Sequence, residues 1–147
     1  MKSKLISDDG PSRYALVFDK GDEVFAELLR FAQKEKVSAA HFNALGALSD
    51  LTFGWFDPQR KEYKRFDIAE GVEVMSFVGN LATTEAGESK LHAHVVIGKS
   101  DGTAQGGHFF AGHVWPTLEM ILVTTSESIV RKIDKECGLP LIDLTLE

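Results

Sequence analysis

After residue 38 the apolar residues of this chain recur at every second position. The pattern is broken only by short glycine-, proline- and aspartate-bearing segments. A period of two places successive side chains on opposite faces of a strand, so most of the chain is committed to a sheet with one covered face. The alternation runs through residues 39–45, 51–56, 62–68, 72–81, 91–98, 103–110 and 118–125, and residues 14–18 add an earlier strand. Only residues 22–36 break to a helical period, with Phe25, Leu28, Leu29 and Ala32 on one stripe and charges between them. Gly46 to Asp50 reads as a bend, Asp57-Pro58-Gln59-Arg60 as a hairpin turn, and residues 128–144 fit neither period. These readings predict an α+β fold in two layers: a mostly antiparallel sheet of seven or eight strands and one main helix near the N-terminus.

With 147 residues the chain has the size of one domain. A polar lead is expected over residues 1–12 and a single domain over 13–144. Apolar residues at 44% and charged residues at 26% exclude disorder. The lone Cys137 excludes a disulfide within the chain and suits a reducing compartment. No apolar run reaches the roughly 20 residues of a membrane helix, and no leader pattern opens the sequence, so a cytoplasmic protein is expected. The net charge of −6 opposes a general affinity for DNA, whose binders present a basic face.

Four of the five histidines lie between positions 92 and 113. His92 and His94, two apart in a strand, share a face. The next strand carries Gly106-Gly107-His108, and the turn between the strands decides where His108 points. A two-residue Asp101-Gly102 turn pairs Val95 with His108 and sends that imidazole to the opposite face. A three-residue Ser100-Asp101-Gly102 loop, with Gly102 left-handed, pairs His94 with His108 instead. In that second register three imidazoles meet, as in zinc sites that keep a fourth position open. The glycines beside His108 fit a close backbone approach or a bulge. His41 reads as a core residue, and His113 as a fourth ligand or a supporting partner.

Glu73 and Glu119 stand in apolar strands, on the faces of Met75 and Phe77 and of Ile121 and Val123 respectively. A carboxylate buried there needs a partner, either a structural cation or a role as general base beside the metal. Arg60, Lys61, Lys64 and Arg65 form the one basic cluster, with Tyr63 among them to stack on a base. The cluster equally suits a solvated edge strand. The stretch ending Gly98-Lys99-Ser100 imitates a phosphate loop, but its interior is a strand and no helix can follow, so nucleotide binding there is excluded.

The chain resembles the plants and prokaryotes conserved (PPC) domain, also catalogued as a domain of unknown function. The resemblance rests on Asn43-Ala44-Leu45-Gly46-Ala47-Leu48-Ser49-Asp50, on residues 71–79, and on Leu91-His92-Ala93-His94. It continues through Ser100-Asp101-Gly102-Thr103, Gly106-Gly107-His108 and Pro116-Thr117-Leu118-Glu119. It implies a compact domain with a mostly antiparallel sheet, assembled as a homotrimer, and the family's stand-alone members are labelled DNA-binding. It also implies a divalent-metal site, with zinc the first expectation, and maps it onto His92, His94 and His108. A small-molecule ligand or metal-assisted chemistry is then expected, with DNA association as the alternative. The basic arm of the plant members, with its Arg-Gly-Arg, is absent from this sequence.

Overall fold

The computed structural model describes residues 1–145 and contains nine strands and one helix. In chain order these are β1 (Lys2–Ser7), β2 (Arg13–Phe18), α1 (Val24–Glu35), β3 (Ala40–Asp57), β4 (Glu62–Ile68), β5 (Val72–Thr84), β6 (Ser89–Gly98), β7 (Ala104–Thr124), β8 (Val130–Ile133) and β9 (Pro140–Asp143). Nine strands hold most of the described residues against one helix of 12, so the class is mostly β rather than evenly mixed, and every ladder is antiparallel except β5 with β8. The expected lead contains a strand, β1, which pairs with β2.

Two long strands replace the shorter ones read from the sequence. The bend expected at Gly46–Asp50 lies inside β3, where the ladder to β7 shifts register between Gly46 and Leu48 and again between Leu48 and Asp50. Such bulges bend a strand without ending it, which is why bend chemistry there does not break the element. β7 likewise runs unbroken from Ala104 to Thr124. β3 pairs with β5 and β7, and β6 also pairs with β5 and β7, so these four strands close on themselves. Inside lie Phe42, Leu48, Phe77, Val95, Ile97, Phe109 and Leu118, all nearly inaccessible. Each aliphatic or aromatic side chain buried in this way contributes about 1.5–3 kcal/mol.

Helix α1 closes the inner layer through Val24, Leu28, Phe31 and Ala32. Phe25 meets Phe109 edge to face at 5.0 Å, and Phe31 meets Tyr14 at the same distance. The Glu23 carboxylate caps the helix by accepting the Phe25 and Ala26 amides. Lys36 ends it in the left-handed conformation. The outer face of the same sheet is lined by side chains that alternate with the core, among them Leu45, Met75, Val78, His94, Val96 and Ile121. Among the described residues no helix is long and apolar enough to cross a membrane.

Candidate metal centre

Strands β6 and β7 carry the site. Their connection is the three-residue loop: the Lys99 amide donates to the Thr103 carbonyl at 2.9 Å, and Gly102 adopts φ +82°. Asp101 stiffens the loop by accepting the Thr103 amide and hydroxyl at 2.9 and 2.6 Å. His94 therefore stands opposite His108. His92, His94 and His108 lie on one face, with ring centroids 5.1–5.7 Å apart. One ring nitrogen from each lies within 4.8 Å of the others.

Two glycines make this convergence possible. A Cβ on Gly107 would strike the Gly54 carbonyl oxygen, so β3 and β7 approach more closely beside His108 than side chains would permit. A Cβ on Gly54 would lie 2.7 Å from the Phe110 ring. The space it leaves lets Phe110 and Tyr63 pack against His108, with centroids at 5.0 and 4.7 Å. The glycine reading of residues 106–107 as a close approach is the one the structure bears out.

The donor set fits a divalent ion. The Nδ1 of His108 is buried with no hydrogen-bond partner, a costly state for an imidazole nitrogen. Three nitrogens around tetrahedral zinc, bound at about 2.0–2.1 Å, sit roughly 3.4 Å apart, so small side-chain rotations close the group on an ion. Burial first, then the neighbouring His92, His94 and the Arg131 cation, lowers the His108 pKa to about 4. Burial, then Arg131, lowers that of His92 as well. Both rings are thus held neutral, the form that coordinates metal.

Several sequence expectations end differently. Glu73 and Glu119 are exposed, and among the described residues no carboxylate joins the three-imidazole group. Their strands alternate as expected, but the face they share with Met75 and Ile121 is the outer one. Phe77 reaches the core because the β5–β6 register shifts between Val74 and Ser76. His41 is exposed on that outer face as well, since Ala40 and Phe42 take the core positions. His113 stands apart from the other three, its Nδ1 2.8 Å from Asp50 Oδ1, and this hydrogen bond raises its pKa. Arg60 and Lys61 occupy the β3–β4 turn, and Lys64 and Arg65 follow on the edge strand β4, all exposed. Arg60 sits between Asp57 and Glu62, and Arg65 lies over the Phe110 ring at 4.1 Å. Tyr63 is half-buried against His108 rather than presented to a base.

Sequence reasoning missed Arg131. It comes from β8, in the tail that showed no period, and is only 5% exposed. Its Nη2 donates to Asn80 Oδ1 at 2.6 Å and its Nη1 to the Pro140 carbonyl at 2.8 Å. Asn80 is the ladder partner of His92, which puts the guanidinium beside the histidines. A lone arginine among Ile129, Val130 and Ile133 was the only signal available.

The sequence matches the model of the Plants and Prokaryotes Conserved (PCC) domain over residues 7–126. Among solved structures, a plant- and prokaryote-conserved protein from Pyrococcus horikoshii is 31% identical, covering 94% of this chain and 97% of its own at a TM-score of 0.84. A metal-containing protein from Archaeoglobus fulgidus is 28% identical, covering 95% and 98% at a TM-score of 0.84. A candidate DNA-binding protein from Bacteroides thetaiotaomicron shares the fold at a TM-score of 0.89, with 24% identity and coverage of 98% and 99%. No curated protein matches the sequence.

Proposed function

Since the chain belongs to the Plants and Prokaryotes Conserved domain family, we propose that it is a metal-binding member, with His92, His94 and His108 holding one divalent ion. Three converging imidazoles, one with an orphaned buried nitrogen, carry this reading. Zinc suits an all-imidazole set with room for a further ligand better than the harder oxygen-seeking cations do. The metal-containing relative from Archaeoglobus fulgidus supports it. Bound there, the ion supplies Lewis acidity and an activated water to a ligand. The protein's own part is to keep His92 and His108 neutral, to pack Tyr63 and Phe110 against His108, and to hold the β6–β7 register. Elemental analysis of untagged protein tests the assignment: about one zinc per chain is expected, and none after all three histidines become alanine. Metal-free wild type, or a triple variant that keeps its metal, overturns it.

Self-association is part of the same reading. Leu45, Met75, Val78, Val96 and Ile121 are each at least 41% exposed on neighbouring strands of the outer face, alongside His94. An apolar patch of this kind on a soluble domain marks a protein contact. The homotrimer implied by the resemblance would cover it.

DNA association is the second reading, favoured by one feature, the exposed basic turn and edge strand from Arg60 to Arg65 with Trp55 beside it. The net charge of −6 and the acids interleaved at Asp57 and Glu62 oppose it. An anisotropy titration of duplex DNA at low salt decides between them. No binding at tens of micromolar protein removes DNA, whereas tight binding with a steep salt slope would put it first.

A further inference from the structure

Beside the histidines lies a cleft of about 200 Å³ whose floor includes His92 and His108 and whose walls include Arg131, Lys90, Leu139 and Leu141. We propose that this cleft binds a small organic acid, its carboxylate on Arg131 and its apolar body against the Leu139–Leu141 wall, next to the proposed metal. The inference deepens the metal reading and rests on it for the reactive end of the site.

Charge carries the first part. No acidic side chain lines the cleft, and among the described residues Arg131 has no carboxylate partner. Its guanidinium has five N–H donors, yet only two acceptors meet it, the Asn80 amide oxygen and the Pro140 carbonyl, and its buried Nε has none. A buried cation without an anion is costly, and the core gains nothing from it. Lys90, exposed at the rim, adds a second cation with no ion-pair partner among the described residues. In a chain that is acidic overall, a buried guanidinium without a carboxylate partner and a lysine at the rim give this cleft a positive field suited to an anion. A carboxylate matches a guanidinium fork in shape as well as charge.

Size and polarity carry the second part. The cleft is smaller than the roughly 300–1,000 Å³ of sites for drug-sized ligands, so its occupant has only a few carbons. Leu91, Leu139, Pro140 and Leu141 offer apolar surface that a bare inorganic oxyanion would leave uncovered.

The test is calorimetric titration of isovalerate into the full-length protein, with zinc content measured on the same sample. Isovaleramide serves as the neutral analogue and inorganic phosphate as the other oxyanion. Saturable isovalerate binding is expected, with the amide at least tenfold weaker, as the loss of a charge-assisted pair implies. R131K should bind about tenfold more weakly. K90E, altered only at an exposed position, should bind severalfold more weakly while folding normally. Both should keep the zinc content of wild type. A zinc-holding sample that shows no saturable binding overturns the proposal and spares the metal reading. Equal binding of the amide, tighter binding of phosphate, or wild-type affinity in both variants overturns it too. Isovalerate bound by a zinc-free sample in an Arg131-dependent way upholds the anion site and overturns the metal reading alone.

Discussion

His94 on β6 stands directly across from His108 on β7, and the loop that sets this pairing is only three residues long. Gly102 carries the left-handed conformation of that loop, and a Cβ there would meet nothing within 4 Å. Gly102→Val should therefore cost only the backbone strain, about 1–2 kcal/mol in a urea melt. Zinc content should be unchanged, because the substitution keeps the three-residue loop length that sets the His94–His108 pairing.

Stability of the metal-free protein should fall as pH drops from about 6.5 toward about 4. The folded pKa of His108 is depressed to about 4 by burial, then by the neighbouring His92, His94 and Arg131, while an unfolded histidine titrates near 6.5. Between those values the unfolded chain binds a proton that the folded chain refuses, so acid favours unfolding. His92, shifted in the same direction, adds to the slope. His108→Phe removes one titrating group and keeps a ring against Tyr63 and Phe110. Urea midpoints from pH 7 to pH 4 should show a shallower decline for that variant, and an unchanged slope would contradict the assignment.

The three-histidine cluster was legible in part, because the rules that bear on it are local but left two turns open for His108. Period two fixes the shared face of His92 and His94, and loop length selects between two registers for His108. The burial of Glu73 and Glu119 was misjudged because alternation tells which residues share a face but not which face is covered. Helix α1 covers one side of the sheet, so the Met75 and Ile121 side stays open. Phe77 crossed faces at an irregularity that no composition announces. Arg131 was out of reach for another reason. Its place depends on a parallel pairing of Thr83 with Val130 and Thr84 with Arg131, across 46 residues or more of chain and with no turn to betray it. Long-range parallel pairing leaves no short-range trace.

Gly107→Ala should cost about 1–3 kcal/mol, the range for overpacking at a site with no room, because the added methyl meets the Gly54 backbone and not a movable side chain. The same strain reaches His108, the next residue. Chemical denaturation and zinc stoichiometry should fall together in this variant, whereas Gly102→Val separates them.

Met75→Glu and Leu45→Glu place a charge on the exposed apolar face without touching the core, as both residues are 60% exposed. If that face holds copies of the chain together, sedimentation should show the assembly of wild type dissociating to monomers in either variant, with the circular dichroism spectrum retained. Unchanged sedimentation would assign the contact to another surface.

The two halves of the cleft are fastened very differently. The histidines belong to strands paired on both sides in a closed set, whereas the Leu139–Leu141 wall hangs on a hairpin joined to β5 through two residue pairs and the Arg131 side chain. Inheritance can therefore treat them separately. Substitutions or insertions in residues 130–143 would alter the cleft wall while leaving the three-histidine geometry intact. The proposed acid-binding wall thus rests on one short hairpin that can change without moving the three histidines.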